Sequence, residues 1–420
     1  MSESVYTQTA HLSGGHSQGI TAISFNPEGS LLATASLDGA VCIWSTNTWT
    51  LLDVYRAKVA ITSLHWFNDN TLVCGLQDGV MSSLVKKEDE ITVSGFWAHD
   101  YPVEHLAVSG NLVASGAHEE LRVWDWNTNA ALSCLLRKLP LPTSDGKTTD
   151  VVDDEGEDEG DLSDSSETDN DVQTQKCVAG VTHAEVLVTG VGFAQSFLVT
   201  TYLHHGIRLF DTQHWKLMKV IDTSGTIVCS SLSPNGGFLA ASNLAVGFDV
   251  YDLESSKVIR TFSHNPGDYG RAVPVLFIHG GHAILGGSTS GCINVWYVEA
   301  AQRLPPMAIP HNQKVLAIAA RYDEHTDRFF IATGVMNESS SSSVIIWASA
   351  SSQDATQEEW EDDSCEDVYS STAGTIFFHV FMAFGVLAAL ACAVLMTDMA
   401  DLLMFGMNVE SERFELEYHD

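Results

Sequence analysis

With 45% apolar residues, the 420-residue chain can bury a sizeable core, and its length fits two or three ordinary domains or one large all-β ring. Its 54 acids against 20 Lys and Arg leave a formal charge of −34. That balance argues against nucleic acid or an anionic lipid surface as the main partner, since both bind by phosphate neutralisation.

The charge is uneven. Asp145–Asp171, Asp354–Asp367 and Asp398–Asp420 together hold 28 acids and two bases, so the remainder is only mildly acidic. The eight cysteines form no CxxC pair or tight cluster, and no amino-terminal basic segment leads into an apolar core. Both features predict reduced cysteines and a cytosolic body.

In chain order, Val5–Leu12 has strand composition. Gly15 to Trp44 then reads as three strands, Ile20–Phe25, Leu31–Ser36 and Ala40–Trp44, joined by the turns Asn26-Pro27-Glu28-Gly29 and Asp38-Gly39. Three short strands cannot bury a face alone, so the unit needs neighbours of its own kind. Equivalent strand ends return at Leu84 and at the aromatics Trp124, Phe210, Tyr251, Trp296 and Trp347, at intervals of 40, 40, 86, 41, 45 and 51 residues. The long interval is one repeat plus an acidic insertion, and the last contains the serine run Ser339–Ser343.

The Gly15-His16 opening, Ser36, the Asp38-Gly39 turn and Trp44 resemble one repeat of the WD-repeat family. That resemblance implies a buried structural tetrad of His16, Ser36, Asp38 and Trp44. The third unit keeps His99 and Trp124, but its turn position holds His118. Later units hold His204, Ala245 and Ser290 there, so the first unit alone carries every member. Over residues 4–348 the resemblance implies an all-β, seven-bladed propeller, with six or eight blades left open by the degenerate motifs. The last unit stops at its third strand, and the amino-terminal strand is expected to close the ring as its fourth.

Residues 143–175 lose apolar periodicity and predict a disordered acidic insertion. Ser166 and Thr168 each have an acid three residues on, as does Ser364, the pattern of acidophilic-kinase sites. A Ser-rich acidic linker (349–373) leads to an expected transmembrane helix at 374–396, whose run Ile376–Met396 has no formal charge. As a helix that run spans about 31 Å, matching a bilayer core. Gly385, Ala389 and Ala393 share one face of it, a small-residue pattern that would support weak homodimer pairing. The 24-residue tail 397–420 follows. Lys and Arg are absent near the span, so orientation rests on the missing signal sequence: a single-pass anchor on an intracellular membrane, with the propeller cytosolic.

Catalytic signals are weak. Gly15-His16-Ser17-Gln18-Gly19 fits the serine-hydrolase elbow, but that elbow needs a following helix and here a strand follows. Gly146-Lys147-Thr148 lacks the upstream glycine of a phosphate loop, and His204, His205, His279 and His282 lack metal-ligand context. No catalytic, cofactor or metal residue is nominated. The Trp-Asp-x-Arg ending of ligase receptors and the paired arginines of phosphoinositide-binding propellers are absent; the nearest strand to the latter reads His204-His205-Gly206-Ile207-Arg208. The expected function is a non-enzymatic, membrane-tethered scaffold that binds other proteins through its faces and insertion. The alternative is a propeller-type exchange factor for a small GTPase at the endoplasmic reticulum, suggested by a similar layout of propeller, span and tail.

Overall fold

Seven antiparallel sheets form in succession along the chain, each built from strands adjacent in sequence except the last. The computed structural model describes residues 6–87, 90–126, 134–142, 185–245, 247–263, 273–309, 313–336 and 342–350. Blade 1 comprises Ile20–Phe25, Leu31–Ser36, Ala40–Ser45 and Leu51–Arg56, and blades 2 to 5 repeat that order through Ser263. In blade 6 the outer strand is broken. Gln302–Arg303 and Met307–Ala308 both pair with Cys292–Tyr297, separated by Pro305 and Pro306, which have no N–H to donate to a ladder.

Blade 7 comprises Lys314–Asp323, Arg328–Met336 and Ser342–Ser349, with Tyr6–His16 as its fourth strand. The register runs from Tyr6 opposite Ser349 to His16 opposite Ser342, with two irregularities that let the strand bend towards blade 1. The predicted closure is therefore present, and the count is seven. First strands of neighbouring blades touch around the whole ring, including blade 7 against blade 1. They line a central cavity of about 340 Å3.

The core is seven wedges, one between each pair of blades, and strand parity fills them. Residues alternate faces along a strand, so a side chain at a given offset from the turn always points to the same neighbour. Trp44 packs with Ala317, Ala332 and Ile346 of blade 7. Each later strand end likewise packs against the preceding blade: Trp124 against Val73 and Met81, Phe210 against Ala114 and Val123, and Tyr251 against Val199 and Leu209. Trp296 does the same against Phe248 and Val250, and Trp347 against Val295.

Tight turns set that parity. Gly79, at φ 82°, has no room for a side chain, because an added Cβ would overlap the His99 carbonyl.

Closure depends on Leu12, the buried side chain that the amino-terminal strand places in the blade 7 to blade 1 wedge, with the smaller Ala10 packed beside the same cluster. Leu12→Ala should lower unfolding stability by about 2–5 kcal/mol in urea titrations. The exposed Gln8→Ala on the same strand should change it by less than about 0.5 kcal/mol.

Candidate functional site

Two buried hydrogen-bond networks tie loops to strands. In blade 1, Trp44 Nε1 donates to Thr34 Oγ1 at 3.0 Å, and His16 Nε2 lies 2.7 Å from the same hydroxyl. His16 Nδ1 faces Asp38 Oδ1 at 3.7 Å. The hydroxyl at the centre is thus Thr34, not Ser36. Thr34 stands diagonally across the strand pair from Trp44, within reach of the indole, whereas Ser36 lies a further step along at the turn. Ser36 instead donates to Gln18 O at 3.1 Å and accepts from Asp38 N–H at 3.2 Å, shaping the hairpin.

Asp38 accepts from the Ser17 and Ala40 amides and the Ser17 hydroxyl. Burial alone would raise its carboxyl; these donors outweigh it and hold the group below the usual range. The Ser17 hydroxyl is thereby committed as a donor to a carboxylate. Burial lowers the His16 pKa against the opposing pull of Asp38.

Blade 3 holds a second complete network. Trp124 Nε1 donates to Ser115 Oγ at 2.7 Å, His99 Nε2 lies 2.7 Å from the same oxygen, and His99 Nδ1 lies 2.8 Å from Glu120 Oε2. Arg122 Nη2 donates to Glu120 Oε1 at 2.7 Å, and Nη1 donates to Ala98 O at 2.6 Å. The acid is therefore Glu120, and the first unit is not the sole holder of a full set. The blade 3 hairpin pairs Ala117 with Glu120, leaving a two-residue turn, so His118 falls in the turn at φ 51°. The acid moves into the strand, and the longer Glu side chain covers the extra distance. His118 instead stacks on Tyr101 at 4.6 Å and meets Glu185 Oε1 at 2.9 Å. The sequence signal was Glu119-Glu120 immediately after the expected position.

These networks face inward. A solvent-facing recess of about 450 Å3 lies at the blade 7 to blade 1 seam, on the face carrying the first-to-second and third-to-fourth strand loops. Phe25, Trp49 and Phe330 give it aromatic walls, with Trp49 and Phe330 edge-to-face at 5.6 Å. Arg321, Arg328, Glu28, Asp323 and His325 supply charged and polar groups of both signs. Arg321 donates to Glu28 O at 2.6 Å, across the seam. Gly29 is favoured there by its left-handed backbone, φ 77°, and its lack of a Cβ lets the Arg321 guanidinium lie against it. The Thr326 hydroxyl and His325 amide hold the Asp323 carboxyl below its ordinary range, so the recess keeps its negative charge at neutral pH. Around the rim, outer strands leave apolar side chains in solvent, led by Trp97 at 69% exposure.

The expected insertion, linker beyond residue 350, transmembrane helix and tail lie outside the described residues, as do Ser166, Thr168, Ser364, Gly385, Ala389 and Ala393. Among the described residues, no helix is long and apolar enough to cross a membrane, and no group of three His, Cys, Asp or Glu side chains is placed to hold a metal ion.

Two measurements test the networks. Thr34→Val leaves Trp44 Nε1 and His16 Nε2 without their shared partner and should cost about 1–3 kcal/mol in unfolding stability, more than Ser36→Ala. Acidification provides the second. Burial pushes the His99 pKa down to about 4, so the unfolded chain, near 6.5, binds the proton more readily. Stability should therefore be full above pH 6.5 and fall as the pH drops towards 4. The His99 contribution is roughly 2 kcal/mol lost between pH 7 and 5, and the pH slope of the unfolding midpoint should be shallower in His99→Asn.

Residues 4–45, the closing strand with the first three strands of blade 1, match the family described as WD domain, G-beta repeat. No curated protein matches the chain.

Proposed function

We propose that this WD-repeat protein, supported as such by the one-blade match and the seven-bladed ring, is a non-enzymatic scaffold that binds a protein segment in the seam recess. One observation carries the reading. The recess combines aromatic walls with cationic and anionic side chains in about 450 Å3, the chemistry and size that take a few residues of an extended peptide. Aromatic walls supply affinity through apolar burial. Arg321, Arg328, Asp323 and Glu28 supply orientation, because each rejects a like charge on the partner.

The scaffold is tethered to an intracellular membrane by residues 374–396, with the ring on the cytosolic side. The uncharged run Ile376–Met396 supports the tether. In sequence, the acidic stretch falls between the outer strand of blade 3 and the inner strand of blade 4.

Proximity labelling in cells tests both parts. Trp49→Ala combined with Arg321→Ala should remove a defined subset of labelled proteins while the protein stays on membranes. Truncation after Ser370 should release it from membranes resistant to alkaline carbonate. Unchanged labelling by the double variant removes the recess, and unchanged location of the truncated chain removes the tether. Accelerated nucleotide release from a small GTPase by the purified protein would replace the scaffold with the exchange-factor reading.

A further inference from the structure

Two residues before the blade-end aromatic, each third strand places a side chain against the preceding blade. In blades 3, 4 and 5 that side chain is charged: Arg122, Arg208 and Asp249. Two of the three are answered within the protein. Arg122 is held by the Glu120 carboxylate and the Ala98 carbonyl. Asp249 accepts from Asn243 Nδ2 at 3.1 Å and Thr261 Oγ1 at 2.7 Å.

Arg208 is not. Among the described residues it is the only Lys or Arg that is buried, at 6% exposure, and it has neither a hydrogen bond nor an ion pair. Its Nε is buried without a partner. The cause is local. Where blade 3 has Glu120 two residues before its arginine, blade 4 has Gly206, at φ 70°, and a Cβ there would overlap the Ile221 carbonyl. The turn demands glycine, so the position that supplies the carboxylate in blade 3 cannot do so here.

The same hairpin holds two more unanswered polar atoms. Tyr202 is fully buried and its hydroxyl has no hydrogen-bond partner, and His205 Nδ1 is likewise buried and unpartnered. Arg208 feels the Tyr202 hydroxyl and the exposed Asp222 electrostatically, yet Asp222 makes no ion pair with it. Burial outweighs both and lowers the Arg208 pKa, the direction expected of a guanidinium short of negative charge. A buried charge without a counterion is strongly unfavourable, and three unpartnered donor-capable groups on one hairpin, with Tyr202 and His205 both coupled electrostatically to Arg208, describe the empty half of a hydrogen-bonded pair.

We infer that Arg208, Tyr202 and His205 form a binding site between blades 3 and 4 for a single oxyanion group, a carboxylate or a phosphate. The guanidinium provides a planar fork for two oxygens, and the Tyr202 hydroxyl provides a third donor. The group is carried either by an acidic or phosphorylated peptide side chain or by a free anion. The site is separate from the seam recess and stands whether or not the recess binds a peptide.

The test titrates full-length protein in detergent with three probes: sodium phosphate, a capped Asp- and Glu-rich heptapeptide, and that peptide carrying one phosphoserine. At least one should bind, and the tightest identifies the source. Arg208→Met should weaken that binding about tenfold or more, Tyr202→Phe by a smaller factor, and the exposed Arg137→Met not at all. The chain lacking residues 145–171 is titrated in parallel, so that an occupant supplied by its own acids appears as tighter binding once they are removed.

A stability measurement without anion separates this from a structural role. Arg208→Met should melt no lower than the parent protein, because it removes an unpaired charge. Arg122→Met, which strips Glu120 of its partner, should melt lower. The site is overturned if none of the probes binds either chain, if Arg208→Met binds as tightly as the parent, or if it melts as low as Arg122→Met.

Discussion

The pairing of Tyr6–His16 with Ser342–Ser349 is the constraint on which the rest of the ring depends. A propeller blade buries both faces only when it has a neighbour on each side, so an open ring would leave two faces in water. Here one strand from the start of the chain completes the last sheet and delivers Leu12 into the adjoining wedge. It then runs directly into Gly15 and His16, which belong to the blade 1 network. Closing the ring and anchoring the first blade are therefore one event, and the cost of joining distant parts of the chain is met by a continuous ladder rather than by scattered contacts.

Parity carries that closure around the molecule. With strand ends fixed by two- or three-residue turns in blades 1 to 5 and by five-residue connections in blades 6 and 7, each wedge receives one large side chain from the following blade, Trp44 through Trp347. The turns also decide which polar groups meet. In blade 1 a three-residue turn leaves Asp38 beside Ser17. In blade 3 the turn is one residue shorter, the carboxylate shifts to Glu120, and Arg122 joins to balance it. The same linkage of turn length and charge explains blade 4, where a glycine-requiring turn excludes the carboxylate and leaves Arg208 without one.

The buried networks and the exposed recess do different things. His99, Ser115, Glu120 and Trp124 satisfy one another, and His16, Thr34, Asp38 and Trp44 do so except at His16 Nδ1, which faces Asp38 without a hydrogen bond; both sets present almost nothing to solvent. The seam recess is unlike them, since its aromatic and charged groups converge from two blades that meet only because the ring closes. A surface assembled this way exists only in the closed ring, which ties its availability to folding of the whole domain.

Repeat spacing, blade-end aromatics and the amino-terminal donor strand were all determined by the sequence alone. They are readable because alternation, tight-turn residues and composition are local properties of the chain. The partner hydroxyl Thr34, the substitute acid Glu120, the seam recess and the unanswered Arg208 were decided only by tertiary structure. Each depends on which side chains stand opposite one another across strands or between blades. A change of one residue in a turn alters that placement while leaving the repeat spacing, and so the sequence pattern, intact.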